Sequence, residues 1–407
     1  CSNGCDFDYC GSCHEKVGFD YATQKTALES WISKAIQTVP HVAKTVDKAG
    51  WTQLHHAAMN RASVSIVTAL VNAYPEATTV EDVDGDLPLQ KAAAASANMP
   101  MEIFSTILKA NPTAAQKPDK YGQLPLHRAI KNGVSLPICM ALIEAYRDAL
   151  QRASHQTSNL PLHDALEQKA SHDVSSALLE AYPEAAKHPN SRGHLPLRIV
   201  MAAGSETNVD LFEKILGVFP GGAKQKAKDG HLPLHEAMYV KAPFRVTELL
   251  VEAYPDACKV QGGTNLCLPL HWAAYKGTDR NFKGEEVMKL LISKFPDGLK
   301  EKEKDLSVPL HNAMYGCTLG ILKLLLEGYP GGCYETTASG CTPLHLAVQM
   351  GPSMTSEMVT LLFEKGPDAV NIRDARGNLP IHLLAQNQNP NVSIFKMVMD
   401  ANPEGVA

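Results

Sequence analysis

The sequence predicts an all-α fold, a solenoid of stacked helix pairs joined by short turns. Three observations predict it. The first is a six-residue motif, Leu232-Pro233-Leu234-His235-Glu236-Ala237, present in ten intact or worn copies. Between the prolines (Gln53 in the first copy), successive copies lie 35, 37, 36, 35, 37, 36, 40, 34 and 37 residues apart. A near-fixed period in that range marks stacked supersecondary units rather than one closed core. The second is the proline itself, which sits where the first turn of a helix can do without an N–H. The third is an apolar segment after each motif, such as Val246 to Tyr254, with leucines on one helical face and Pro255 ending it. The length agrees. A chain of 407 residues exceeds one ordinary core, whereas a solenoid grows by nearest-neighbour interfaces.

Taken in order, the chain opens on Cys1, Cys5, Cys10 and Cys13. Closely spaced thiols joined by short turns can converge on one tetrahedral zinc, the one cofactor the sequence suggests. The insert Asp6-Phe7-Asp8-Tyr9 resembles the end of ZZ-type and C1-like zinc fingers. Residues 1–16 thus read as the C-terminal part of a finger. Its first cysteine pair would lie upstream of Cys1, and the His-x-His pair of a full ZZ finger is absent. Three readings stay open: a half-finger completed upstream, the four thiols closing one site alone, and free or oxidised thiols.

Residues 25–46 hold the helix of an incomplete leading repeat. Leu28, Trp31, Ile32, Ala35, Ile36 and Val39 recur at helical spacing, and Pro40 stops it. Its expected task is to cover the hydrophobic end of the stack.

Residues 47–407 form the array. Each unit opens on a turn such as Asp84-Gly85, Asp229-Gly230 or Arg376-Gly377, where glycine supplies a positive φ. The motif helix follows, then the second apolar helix. The grammar resembles the ankyrin repeat, with its Thr-Pro-Leu-His-x-Ala first helix, and the resemblance implies antiparallel helix pairs with a concave binding surface. There are departures. The capping threonine survives at Thr52 and Thr342, and Leu or Val replaces it elsewhere, which removes a hydroxyl cap. The Gly-Ala-Asp-Val-Asn ending of the family is replaced by Tyr182-Pro183-Glu184-Ala185 and its variants. The longest interval holds an insertion, Thr278 to Glu285, expected to bulge from one face. The chain starts at Cys1 rather than Met and stops soon after Pro403 without a polar capping repeat. More protein is expected beyond both ends.

Little chemistry is legible. His55, His127, His163, His235, His271, His311, His345 and His382 share one repeat position. A repeat width separates neighbours, too far for one metal with ~2 Å bonds, and the resemblance implies that each ring bonds nearby backbone. Gln90 and Arg198 replace it in two units, neither of them an isostere. Those two units are expected to be locally weak, and Val200 in place of alanine adds overpacking to the second. Tyr74, Tyr146, Tyr182, Tyr254 and Tyr329 share a position at second-helix ends and read as packing. Phosphate loops, dinucleotide fingerprints, nucleophile elbows and metalloprotease motifs are missing.

The net charge of −5 gives no global basic field, and Lys117, Lys120, Arg128 and Lys131 form only a local cluster, read as a solvated face. No nucleic acid is expected, and no apolar run is long enough to span a bilayer. Six scattered cysteines suit buried free thiols in a reducing compartment, hence an intracellular, cytoplasmic protein. The sequence leaves oligomeric state open. The reading that results is a non-enzymatic scaffold or adaptor that binds a protein partner. The alternative is a substrate-recruiting region of a larger enzyme whose catalytic domain lies outside this chain.

One position points to the binding face. Five residues beyond each motif leucine stand Tyr239, Tyr275 and Tyr315, where other units carry Met59, Ala94, Lys131, Glu167, Ala202, Gln349 and Gln386. A residue that varies so freely is outside the repeated core. Five residues are ~500° of helix, about 140° from the buried leucine, and the ankyrin resemblance assigns the position to the groove. Three tyrosines should line up with Trp272 beside them, as hot-spot residue types in a row. Alternatively, each ring fills a gap against the next repeat.

Overall fold

The computed structural model describes residues 21–276, 283–350, 354–386 and 392–401. These contain 21 α-helices and no strand, only the isolated bridges Val46–Thr52 and Gly262–Cys267. The chain divides into two compact units, residues 1–182 and 183–407. In each, the motif helices pack on one another in one layer and the longer apolar helices in a second. The first unit stacks Gln53–Met59, Pro88–Ala94, Pro125–Lys131 and Pro161–Glu167. The second stacks Pro196–Met201, Pro233–Val240, Pro269–Lys276, Pro309–Ala313, Pro343–Gln349 and Pro380–Gln386. The core lies between the layers. Leu126, Leu162, Leu234 and Leu310 are 1–3% exposed, and the alanines of intact motifs are buried completely.

The turns follow the glycines. Gly85, Gly230 and Gly377 have φ of 78°, 85° and 84°. Gly340 (φ 74°) is held twice over, because a Cβ there would stand 2.6 Å from the Ala375 amide. Asp82 and Asp374 close their turns by accepting two backbone N–H groups each, at 2.7–2.9 Å.

The tyrosine-proline step does more than stop a helix. Tyr254 ends Phe244–Ala253 at φ −148°, ψ 82°, and Pro255 starts a 3₁₀ turn, Pro255–Lys259. The same turn follows at Pro75–Thr79, Pro112–Gln116 and Pro330–Tyr334. Proline disfavours a helical residue before it, so the chain leaves the helix and tightens at once. The five tyrosines there are half-buried, in keeping with packing. Lys224 lies 5.3 Å from the Tyr254 ring centroid.

The leading helix is longer than the sequence pattern suggests, Tyr21–Thr38, and packs on Val64–Ala73. Its apolar seam is only half used. Ile36 is buried, but Trp31 and Leu28 are 67% and 58% exposed, because the face they share turns away from that neighbour. The expected insertion falls largely on residues 277–282, outside the described residues. The candidate zinc ligands Cys1, Cys5, Cys10 and Cys13 also lie outside them. Cys139, Cys258, Cys267, Cys317 and Cys333 are buried free thiols, as read from their scatter, whereas the sixth, Cys341, is free but only half-buried. No helix among the described residues is long and apolar enough to cross a membrane.

Candidate functional site

The repeated histidine is a lock between neighbouring repeats. Nδ1 of His235 accepts the Leu232 N–H at 3.2 Å, and Nε2 donates to the Cys267 carbonyl of the next repeat at 3.1 Å. His55, His271, His311 and His345 repeat the pair, reaching the carbonyls of Asp86, Glu301, Cys341 and Asn378 at 3.0–3.2 Å. His163 and His382 make the first bond. Accepting at one nitrogen and donating at the other requires a neutral ring. Burial enforces that by pushing His127, His235 and His271 down to about 4. The rings that make these bonds are structural and already engaged, whereas both nitrogens of the buried His127 lack a hydrogen-bond partner.

Gln90 corrects the expectation of a weak unit. Its Oε1 accepts the Leu87 N–H at 2.9 Å and its Nε2 donates to the Lys117 carbonyl at 3.1 Å. A primary amide offers the same acceptor and donor as neutral imidazole, so the lock survives without the ring. Arg198 cannot do this, because guanidinium has no acceptor. It turns instead to Glu236, with Nε 2.9 Å from Oε1. Its helix, Pro196–Met201, is the shorter one, and Val200 fills the alanine site.

Two positions of each motif helix face away from the core, the residue after the histidine and the one three further on. In residues 1–182 most of them carry charge, Lys91, Arg128, Lys131, Asp164 and Glu167. Lys91, with a side chain only 7% exposed, holds Asp82 and Asp86 at 2.6 and 2.7 Å. Arg128 reaches Asp86 at 2.7 Å, and the Lys91 ammonium lies 4.8 Å from the Trp51 ring centroid. Lys117 pairs with Glu81, and Lys120 with Asp84 at 2.8 Å. Carboxylates one repeat earlier thus take up much of the apparent basic cluster. Sequence reasoning missed this. The available signal was the spacing of 36 residues in both outer pairs, one period of the array.

In residues 183–407 the middle repeats place aromatic rings there, Tyr239, Trp272, Tyr275 and Tyr315. Tyr239, Tyr275 and Tyr315 are 58%, 42% and 48% exposed. Tyr239 meets Trp272 edge-on at 5.5 Å and 88°, and Trp272 meets Tyr275 at 6.4 Å and 82°. Tyr275 meets Tyr315 at 6.0 Å and 62°. The structure therefore brings together all four residues singled out from the sequence. They wall an open groove of about 450 Å³. Sequence reasoning missed its polar side. Glu303 lines it, with Oε1 accepting the Asn312 amide at 3.0 Å and Oε2 the Cys267 S–H. Burial and the Glu303 carboxylate push the Cys267 thiol up, so it stays protonated.

Comparison with known proteins agrees with this geometry. The ankyrin-repeat family model matches residues 270–374 and 310–404, in three copies. Residues 270–404 are ankyrin repeats. The helix pairs, turns and histidine locks upstream repeat the same construction, so the fold class is the all-α ankyrin-repeat solenoid. No curated protein matches the chain significantly. Ankyrin repeats indicate a protein–protein interaction module.

Proposed function

We propose that the chain is a non-enzymatic scaffold or adaptor that binds a protein partner through the aromatic face of Tyr239, Trp272, Tyr275 and Tyr315. One observation carries the reading: three half-exposed tyrosines and a tryptophan in one row over a groove. Such rows leave apolar surface in water unless a partner covers it, and Tyr and Trp are enriched at binding hot spots. His55, His235, His271, His311 and His345 are locked to backbone at both ring nitrogens, which leaves them no role as a base. A zinc-binding element at Cys1, Cys5, Cys10 and Cys13 would give the adaptor a second module, supported by the thiol spacing alone.

Quantitative affinity capture tests the reading, with the wild-type chain beside Tyr275→Ala and Gln349→Ala. The two changes sit at one repeat position, on and off the aromatic row. The partner retained by wild type should bind Tyr275→Ala more weakly by ~2 kcal/mol or more and Gln349→Ala unchanged, with both melting curves near wild type. Unchanged binding per folded Tyr275→Ala molecule would sink the reading.

A further inference from the structure

We infer that the aromatic groove receives an arginine or lysine side chain from an extended peptide segment of the partner. This rests on the reading of the face as the partner-binding surface and adds the chemistry of what it binds.

Charge complementarity selects a cation. His271 is neutral, so Glu303 carries the one formal charge among the side chains lining the groove. Its carboxylate is held by two neutral donors, Asn312 and Cys267, and no ion pair to it is found among the described residues. Several other carboxylates on the motif helices and their turns are matched by cations, although Asp305, two residues on, holds only the Ser307 N–H among the described residues. Asp86 has Lys91 and Arg128, Glu236 has Arg198, and Glu335 takes Lys302 at 2.7 Å. Lys302 and Lys304 flank Glu303 in sequence; Lys302 is directed to Glu335, and no ion pair between Lys304 and Glu303 is found among the described residues. Glu303 is thus a fixed negative charge beside the rings with its place for a cation open.

The rings select the same partner. Edge-to-face contacts along the row turn neighbouring ring planes across one another, so electron-rich faces as well as edges border the groove. Cations are attracted to such faces, guanidinium more often than ammonium. The occupant is a peptide side chain rather than a metal ion, because no group of three metal-ligating side chains is found among the described residues. Trp272 Nε1 and Asn312 Oδ1 have no hydrogen-bond partner. A peptide carbonyl and amide would supply the missing acceptor and donor. Both atoms are shielded from solvent, so this match requires the side chains around them to shift.

The test is selection of displayed random linear peptides on the 407-residue chain, followed by affinity measurements on synthetic winners. Arginine or lysine should dominate one peptide position. Replacing that arginine by citrulline, its neutral isostere, or changing Glu303→Gln should each weaken binding at least tenfold. The two changes together should cost little more than either alone. Winners that depend on Tyr275 but show no basic position, or bind equally with citrulline, overturn the cation and leave the aromatic face standing. Winners indifferent to Tyr239→Ala, Tyr275→Ala and Tyr315→Ala, or no winners, overturn both. Should Glu303→Gln fail to fold, the citrulline comparison on the wild-type chain still decides.

Discussion

The two compact units use the same two repeat positions in opposite ways. In residues 1–182 those positions hold Lys91, Arg128, Lys131 and Asp164, tied into ion pairs and hydrogen bonds. In residues 183–407 the middle repeats hold Trp272 and three tyrosines whose rings meet one after another. Leucines and alanines beneath are alike in both, and both units carry locks, made by His55 and Gln90 in the first and by His235, His271, His311 and His345 in the second. The repeated core therefore sets the fold, while these two outward positions set what each face can do. The charged face is closed on itself. The aromatic face is open.

Acid should have the largest effect and should separate the two units. A buried histidine with a lowered pKa contributes its full stability above about 6.5, its unfolded value, and loses it as pH falls toward the folded value. For a ring at about 4, complete protonation removes about 3 kcal/mol, at about 1.4 per pKa unit. The second unit has four such rings: His235 and His271 at about 4, and His311 and His345 lowered by burial. The first has His127 at about 4 and His55 lowered. It also has Asp164, which burial raises to about 6, while the second unit has Glu236, likewise raised by burial. A raised carboxyl works the other way, contributing stability below its unfolded pKa and losing it as pH rises through about 6. Residues 183–407 should thus loosen first between pH 6.5 and 4. Hydrogen exchange at pH 7 and pH 5, corrected for the intrinsic rate, reads this directly. Equal loss in both units would mean that the locks do not govern acid stability.

Lys91→Met comes next. It keeps the length of the side chain and leaves Asp82 and Asp86, 7% and 2% exposed, without their shared ammonium. Arg128 still reaches Asp86 but sits 26% exposed and cannot serve both. Breaking a buried pair from one side costs about 3–5 kcal/mol. Urea unfolding of the full chain should show that loss in residues 1–182. A loss under about 1 kcal/mol would mean that the charged face is not closed by this lysine.

Much of this was legible in the sequence, and the reasons for the rest are physical. Period, turn glycines and buried leucines are local or strictly repeated, so a one-dimensional pattern reveals them. The aromatic row was legible because Tyr239, Tyr275 and Tyr315 fall at a position that varies elsewhere. Lys91 was not. A lysine inside an apolar helix reads as exposed until Asp82, Asp86 and Trp51 are seen to enclose it. Glu303 reaches the groove from a turn about one repeat beyond Trp272, where spacing says nothing of direction. Gln90 was misjudged on ring shape, when the repeat requires only one acceptor and one donor. Gln90→Ala tests that correction. It strands the Leu87 N–H and the Lys117 carbonyl, at a cost of about 1–3 kcal/mol, and exchange should rise at Leu87 to Ala94. Unchanged protection there would restore the view that the unit lacks a lock.

The smallest expected effect tests whether the aromatic face is open at all. Tyr239 is the most exposed of the row, and its ring meets Trp272 edge-on at 5.5 Å. An aromatic pair of this kind contributes about 0.5–1.5 kcal/mol beyond its area when well buried. Here one partner is more than half in water, so Tyr239→Ala should cost less than about 1 kcal/mol. The side chain beneath it in the helix, Leu234, keeps its packing, since the two lie about 140° apart. If the row exists for a partner, this change leaves urea unfolding nearly where it was. If the rings instead hold adjacent repeats together, losing Tyr239 also loosens Trp272 and the loss approaches that of a core truncation, about 2 kcal/mol or more. A loss of that size would erase the contrast between the units, because both faces would then be closed structural surfaces. Near-neutral stability would leave the tyrosines without a structural reason to stand in line, which is the condition the binding reading needs.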